Sequence, residues 1–244
     1  MITGPSLPTV DAVALLLLVR HGHSTANADA VLAGWSEGVG LTDRGRTDVG
    51  RLASRLTDAG TDVARLVTSP LQRCRETASL LLPGASAEVV DDLGECHYGA
   101  WTGRPIAELV SEPLWRTVQD DPSTARFPDS EHYAAESLAE MAERITSTVR
   151  RIDAEVEAER GPDAVWVAVS HGDPIKAVLA DAMGAGLAGL QRVHVDPASV
   201  SVVRWSGGRS MVMAVNSSGG AIRTHQGAAK DVPAGDNTIG GGTG

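Results

Sequence analysis

Apolar positions follow two rhythms along this chain. Residues 14–19 (ALLLLV), 63–69 (VARLVTS) and 164–170 (AVWVAVS) are nearly continuous apolar runs, a pattern suited to strands covered on both faces of a parallel sheet. Val49, Leu52, Ala53 and Leu56 recur at helical spacing, as do Leu138, Met141, Ile145, Val149, Ile152 and Val156. Thr42 reads as the N-cap of the first of these helices, with Asp43 in its first turn and Gly60 closing it. Ser69-Pro70 and Asp173-Pro174 each read as a cap followed by proline at the first helical position. The first of those two helices runs to about Leu82, before Pro83-Gly84. ASVSVVRW and MVMAV, separated by Ser206-Gly207-Gly208-Arg209, predict an antiparallel hairpin. Residues 105–135 mix short helices (IAELV, EPLWRTVQ) with loop.

Strands alternating with helices predict an α/β fold. The expected form is a three-layer sandwich with a mostly parallel central sheet, an antiparallel edge, and a small helical and loop insertion over the active site. The length of 244 residues suits one domain, placed at 12–216. Residues 1–11 read as a flexible arm. Residues 217–244, Gly-rich and without apolar period, read as a disordered tail.

Charge and cysteine content narrow the partners. The formal net charge of −10 speaks against nucleic acid or an anionic membrane as partner. It leaves small anions open, because a local Arg/His cluster outweighs the global field inside a cleft. The two cysteines, Cys74 and Cys96, make no disulfide framework and fit a reducing, cytoplasmic setting. The run ending at Val19 is too short to span a bilayer and lacks the flanks of a signal peptide. No pattern encodes oligomeric state; a homo-oligomer is compatible with the size.

Two of the three buried runs end in histidine, at Arg20-His21-Gly22 and at Ser170-His171-Gly172. Ligands of open α/β sheets collect outside the carboxyl ends of such strands. A phosphoryl group fits this pair, because phosphoryl transfer is mostly positioning and charge stabilisation. Arg20 and Arg73 offer permanently charged planar forks, Asn27 a neutral donor, and the helix after His171 its N-terminal N–H groups at Gly172. Gly22, lacking a side chain, is expected to let the backbone approach the phosphate. His21 is the candidate nucleophile, and Glu95 the candidate acid for the leaving alcohol. His23, Ser24 and Tyr98 are placed at the rim.

These residues sit in LVRHGHSTAN, SPLQRCRETA, GECHYGAWTGR and SHGDPIK. Together the four blocks resemble the motifs of the histidine phosphatase (phosphoglycerate-mutase-like) superfamily, in its order, across roughly residues 14–180. The resemblance implies that His21 is phosphorylated during turnover, with Arg20, Arg73 and His171 around the phosphate. It also implies Glu95 as proton donor and acceptor, a small phosphorylated metabolite as substrate, and neither metal nor other cofactor. In the mutases of this family the acid is followed by Arg, and a Lys stands eleven residues beyond it. Those positions are Cys96 and Ile106 here, which favours a phosphatase over a phosphomutase needing a second anion site. The segment FPDSEHYAAES departs from the family's Pro-Gly-Gly-Glu-Ser, keeping only Glu136-Ser137 in register. Trp115, Arg116, Phe127 and Tyr133 fall in this variable region, where subdomain packing or a substrate lid would use them.

Of three rival readings, two stay open and one fails. A metal hydrolase could use His21-x-His23 but lacks further clustered ligands in sequence. A cysteine phosphatase fails on spacing, although Cys74 and Cys96 adjoin candidate site residues and their oxidation is expected to perturb activity. A phosphate-binding module without turnover would need neither His21 nor Glu95.

Overall fold

The computed structural model describes residues 14–206, 209–220 and 222. Its strands are β1 (Leu15–Arg20), β2 (Val63–Thr68), β3 (Glu88–Val89), β4 (Val165–Ser170), β5 (Val200–Ser206) and β6 (Arg209–Ser217), in the sheet order β3-β2-β4-β1-β5-β6. Strands β1, β2, β3 and β4 run parallel, and β5 and β6 add the antiparallel edge. The α/β architecture expected from the sequence is the one found.

The helices are α1 (Thr25–Ala28), α2 (Asp43–Asp58), α3 (Gln72–Leu81), α4 (Ile106–Leu109), α5 (Pro113–Asp120), α6 (Leu138–Arg160) and α7 (Gly172–Ala182). Alternate residues of β1 serve opposite layers, as the two-residue period of a strand requires. Leu16 and Leu18 join the core under α6 and α7, whose Met141, Ile145, Val149 and Val178 pack there. Leu15, Leu17 and Val19 face α2 and α3, against Val49, Leu52 and Ala78. Strands β1 and β4 are therefore buried on both faces, which explains their unbroken apolar runs.

Local signals explain most helix starts. The Thr42 side chain accepts from the Gly45 N–H at the head of α2. Ser137 and Glu140 form a reciprocal capping box on α6, so the retained Glu136-Ser137 pair sits at that helix's entrance. Two expected caps differ. Helix α3 begins after Leu71, not Ser69, and α7 is capped at His171, placing Asp173 inside the helix. Ser69 Oγ accepts the Leu71 N–H at 3.3 Å but also meets His171 Nε2 at 2.7 Å, and Asp173 accepts from Tyr98 and Lys176.

The first residues of the expected tail are partly described. Ser217 ends β6, and Arg55 of α2 donates to the carbonyls of Ser217, Gly219 and Gly220. Ile222 is buried in the α2/α3 core. The arm at 1–11 and the rest of the tail lie outside the described residues. Among the described residues no helix is long and apolar enough to cross a membrane.

Candidate active site

The carboxyl ends of β1, β2 and β4 converge on one cavity of about 430 Å³. Arg20, His21, Arg73, Glu95 and Gly172 line it, together with Ser24, Asn27 and Tyr98. The structure thus brings together the core of the expected site from four separate stretches of sequence.

His21 ends β1 and is 3% exposed. Its Nδ1 lies 2.8 Å from the Gly22 carbonyl oxygen; a carbonyl only accepts, so Nδ1 carries the hydrogen and Nε2 presents a lone pair. Arg73 Nε donates to that Nε2 at 3.3 Å. Burial, then the Arg73 and Arg20 charges, hold His21 well below the usual histidine range. The imidazole is therefore neutral, as a nucleophile must be.

Both arginines are half-anchored. Arg73, 2% exposed, donates through Nη2 to the Gly34 carbonyl at 2.9 Å. Arg20 donates through Nη1 to the Val195 carbonyl at 2.7 Å. Arg73 Nη1 and Arg20 Nε are buried with no hydrogen-bond partner among the described residues. Buried charged donors without acceptors are costly, and an anion between them would remove that cost.

Glu95 is 9% exposed, and its Oε1 accepts its neighbour's N–H at Cys96 at 2.9 Å. Burial, and next the charge of Asp173, push its carboxyl up to about 7. It can therefore exchange a proton near neutrality. Its loop is held from two sides. Trp35 Nε1 donates to the Glu95 carbonyl at 2.7 Å, and Arg144 of α6 donates to the carbonyls of Asp92, Gly94 and Glu95. Arg144 also pairs with Glu136 at 2.6 Å.

Other expected residues fall differently. His171 is fully buried and lies behind the cavity wall, its ring 5.2 Å from that of His21. Burial first, then Arg73, keeps it well below the usual range, and Ser69 engages its Nε2. Gly22 packs against α2: a Cβ there would stand 2.8 Å from Val49 Cγ2 and 2.9 Å from the Gly45 carbonyl oxygen. Its N–H goes to Thr77 Oγ1. His23 is not on the rim. It bonds Thr42 Oγ1 and faces a separate surface pocket with Arg44 and Asp48.

Ser24 caps α1, and Asn27 Oδ1 accepts from the Ser24 N–H and hydroxyl. Asn27 lines the cavity beside this cap. Tyr98 donates to Asp173 Oδ2 at 2.8 Å. The lining also holds residues that the motifs did not single out for a site role, namely Asp173, Lys176 and Gln191. Lys176 Nζ donates to Asp173 Oδ1 at 3.2 Å and to Gln191 Oε1 at 2.8 Å. Of the variable-region residues, Trp115 and Phe127 reach the cavity, and Arg116 and Tyr133 are not in its lining. Among the described residues no group of three or more His, Cys, Asp or Glu side chains is gathered to hold a metal.

Residues 16–218 match the model of histidine phosphatase superfamily branch 1. The chain belongs to the histidine phosphatase superfamily. Within it, the chain is 34% identical over 210 residues to the bifunctional protein Rv2228c of Mycobacterium tuberculosis, covering 84% of this chain and 54% of that protein. The chain thus spans about half the length of that relative. It is 33% identical over 187 residues to the 2,3-bisphosphoglycerate-dependent phosphoglycerate mutase of Corynebacterium jeikeium, covering 67% of this chain and 73% of the mutase. The alpha-ribazole phosphatase of Shigella flexneri shares the fold, with a TM-score of 0.72 at 22% identity over 86% of this chain and 99% of that one.

Proposed function

We propose that this chain hydrolyses a small-molecule phosphomonoester through a phosphohistidine on His21, without a metal. The observation that carries the reading is the pair of buried, unpartnered guanidinium donors on Arg20 and Arg73, set around a neutral His21. In the first step His21 Nε2 bonds to phosphorus and the bond to the leaving oxygen breaks. Glu95 gives its proton to that oxygen, so the substrate leaves as an alcohol. In the second step water attacks the phosphohistidine, Glu95 takes the water's proton, and the N–P bond breaks to release phosphate and neutral His21. His171, buried behind His21, supports its position. The N-terminal N–H groups of α7 at Gly172 and the Asn27 amide add donors to the phosphate.

Hydrolysis is favoured over phosphomutase chemistry by two side chains. Where the mutases carry Arg and Lys, this chain has Cys96, fully buried, and Ile106, on the cavity wall. A bisphosphorylated primer would find an apolar surface at the second position. The mutase reading retains the support of relatives such as the Corynebacterium enzyme.

The test is phosphate release from a phosphorus-labelled aryl phosphate in EDTA by the parent and by His21→Ala, with trapping of the acid-labile phosphohistidine by an alkaline quench. Turnover that survives EDTA and disappears with His21, together with trapped label, is expected. Activity abolished by EDTA would sink the reading. A label that transfers only to a phosphoglycerate would establish the mutase.

A further inference from the structure

Beyond the phosphate floor, the cavity divides into an apolar wall and a polar wall. Val31, Leu32, Trp101, Ile106, Trp115 and Phe127 form the apolar one. Trp101 turns its polar edge away, its Nε1 donating to Glu112 at 3.0 Å. Trp115 lies alongside it with ring centroids 6.3 Å apart, and Trp115, Ile106, Val31 and Leu32 are each only partly covered. The wall's four partly covered residues come from α4, α5 and the loop after α1, each lending an apolar surface to the opening.

Beyond the phosphate site, the cation set within the polar wall, Lys176, is already paired among the described residues. Lys176 is committed to Asp173 and Gln191, Gln191 donates in turn to the Val118 carbonyl, and Tyr98 is committed to Asp173. The carboxylate of Asp173 itself repels a second anion. Arg192 lines the cavity from an exposed position, where water screens its charge.

Resting on the phosphatase reading above, we infer that the leaving alcohol carries an apolar, ring-sized body that packs on Ile106 and Trp115, and no second phosphate or carboxylate. A phosphoryl group fills only part of the cavity, and the remaining space is bounded on one side by side chains that gain by excluding water. Ile106 is the deciding residue. It lines the cavity from α4, only partly covered, and it offers only a hydrocarbon surface.

The experiment compares 3-phenylpropyl phosphate, propyl phosphate and 3-phosphoglycerate. The two alkyl esters share nearly the same leaving-group chemistry and differ in the ring. Phosphate release is measured as kcat/KM in EDTA, and binding to the non-transferring His21→Ala variant is measured by calorimetry. The ring is expected to raise kcat/KM and tighten binding by about 30-fold, the yield of burying most of a phenyl face. 3-Phosphoglycerate should rank below propyl phosphate. Ile106→Lys should reverse the order toward 3-phosphoglycerate; Trp115→Ala should narrow the ring's advantage and Trp115→Phe keep it. Equal values for the two alkyl esters, or preference of the parent for 3-phosphoglycerate, would overturn the inference while leaving hydrolysis intact. Absence of turnover with all three would strike at the phosphatase reading instead, and the binding series would still decide the character of the wall.

Discussion

Glu95 and Asp173 share one cavity, and their mutual repulsion sets the chemistry at the scale of single residues. Burial and the Asp173 charge together raise Glu95 to about 7. The first phosphoryl transfer needs Glu95 protonated, so kcat/KM should fall as pH rises through that value. Asp173→Asn removes the negative charge, lowers the Glu95 pKa, and should move this basic limb to lower pH. An unmoved limb in the pH–rate profile would show that Asp173 does not act through Glu95. Glu95→Gln should cost about 10²–10⁴ in kcat/KM on an alkyl phosphate, the usual contribution of a general acid. The loss should be much smaller on a nitrophenyl phosphate, whose leaving group needs no proton. Equal losses on both substrates would count against the acid role. Residue chemistry also revises the expected sensitivity to oxidation. Burial pushes the Cys74 thiol up to about 12 and the Cys96 thiol well above its usual range. Thiols of that kind are poor targets, because the thiolate is the reactive species.

At the scale of elements, α6 supports the site mainly through Arg144, with Thr148 donating to Asp92 Oδ2 at 2.9 Å beside it. Arg144 stands two turns into this helix and ties the residue 92–95 loop to it, while its partner Glu136 accepts the His97 N–H. The pair is well covered, with side-chain exposures of 17% and 12%, so removing one partner leaves a poorly solvated charge. Arg144→Ala should lower Tm by roughly 5–10 °C. It should also reduce kcat on alkyl phosphates more than KM, because the acid's loop loses its anchor. A fall in Tm with kinetics unchanged would make Arg144 purely structural. Glycine serves the same segment: Gly99 has φ +51°, and any Cβ there would collide with the Pro128 carbonyl. That close approach lets the variable region fold down beside Tyr98. The FPDSEHY stretch is longer than the family pattern, yet the chain returns to register because Ser137 and Glu140 start α6 with a capping box.

Across the whole molecule, the parallel strands direct their carboxyl ends to one side, while the antiparallel edge closes the sheet and is pinned from behind. Arg55 on α2 gathers the carbonyls of Ser217, Gly219 and Gly220 far in sequence from itself. Arg55→Ala should lower stability by about 1–2 kcal/mol in urea unfolding, as expected for lost charged hydrogen bonds. Turnover of an aryl phosphate should stay at the parent level, since the contact lies away from the cavity. A matching loss of activity would show that the edge is coupled to the site.

Much of this architecture was legible from local pattern. Buried strands must be apolar on both faces, so β1 and β4 declared themselves, and helical spacing announced α2 and α6. The strand ends at His21 and His171, and the Arg20 beside the first, followed from the same reading. The sequence by itself also determined the family, because its four motif blocks keep their order. Only the tertiary structure decided where polar side chains spend their hydrogen bonds. Ser69 and Asp173 read as caps, yet one meets His171 and the other Tyr98 and Lys176. His23 read as rim and turned to Thr42, while the close packing of Gly22 on α2 was invisible in the sequence. The physical reason is range: apolar periodicity is a property of neighbours along one chain segment. A hydrogen-bond partner, a shifted pKa or an apolar cavity wall depends on residues that only folding brings together.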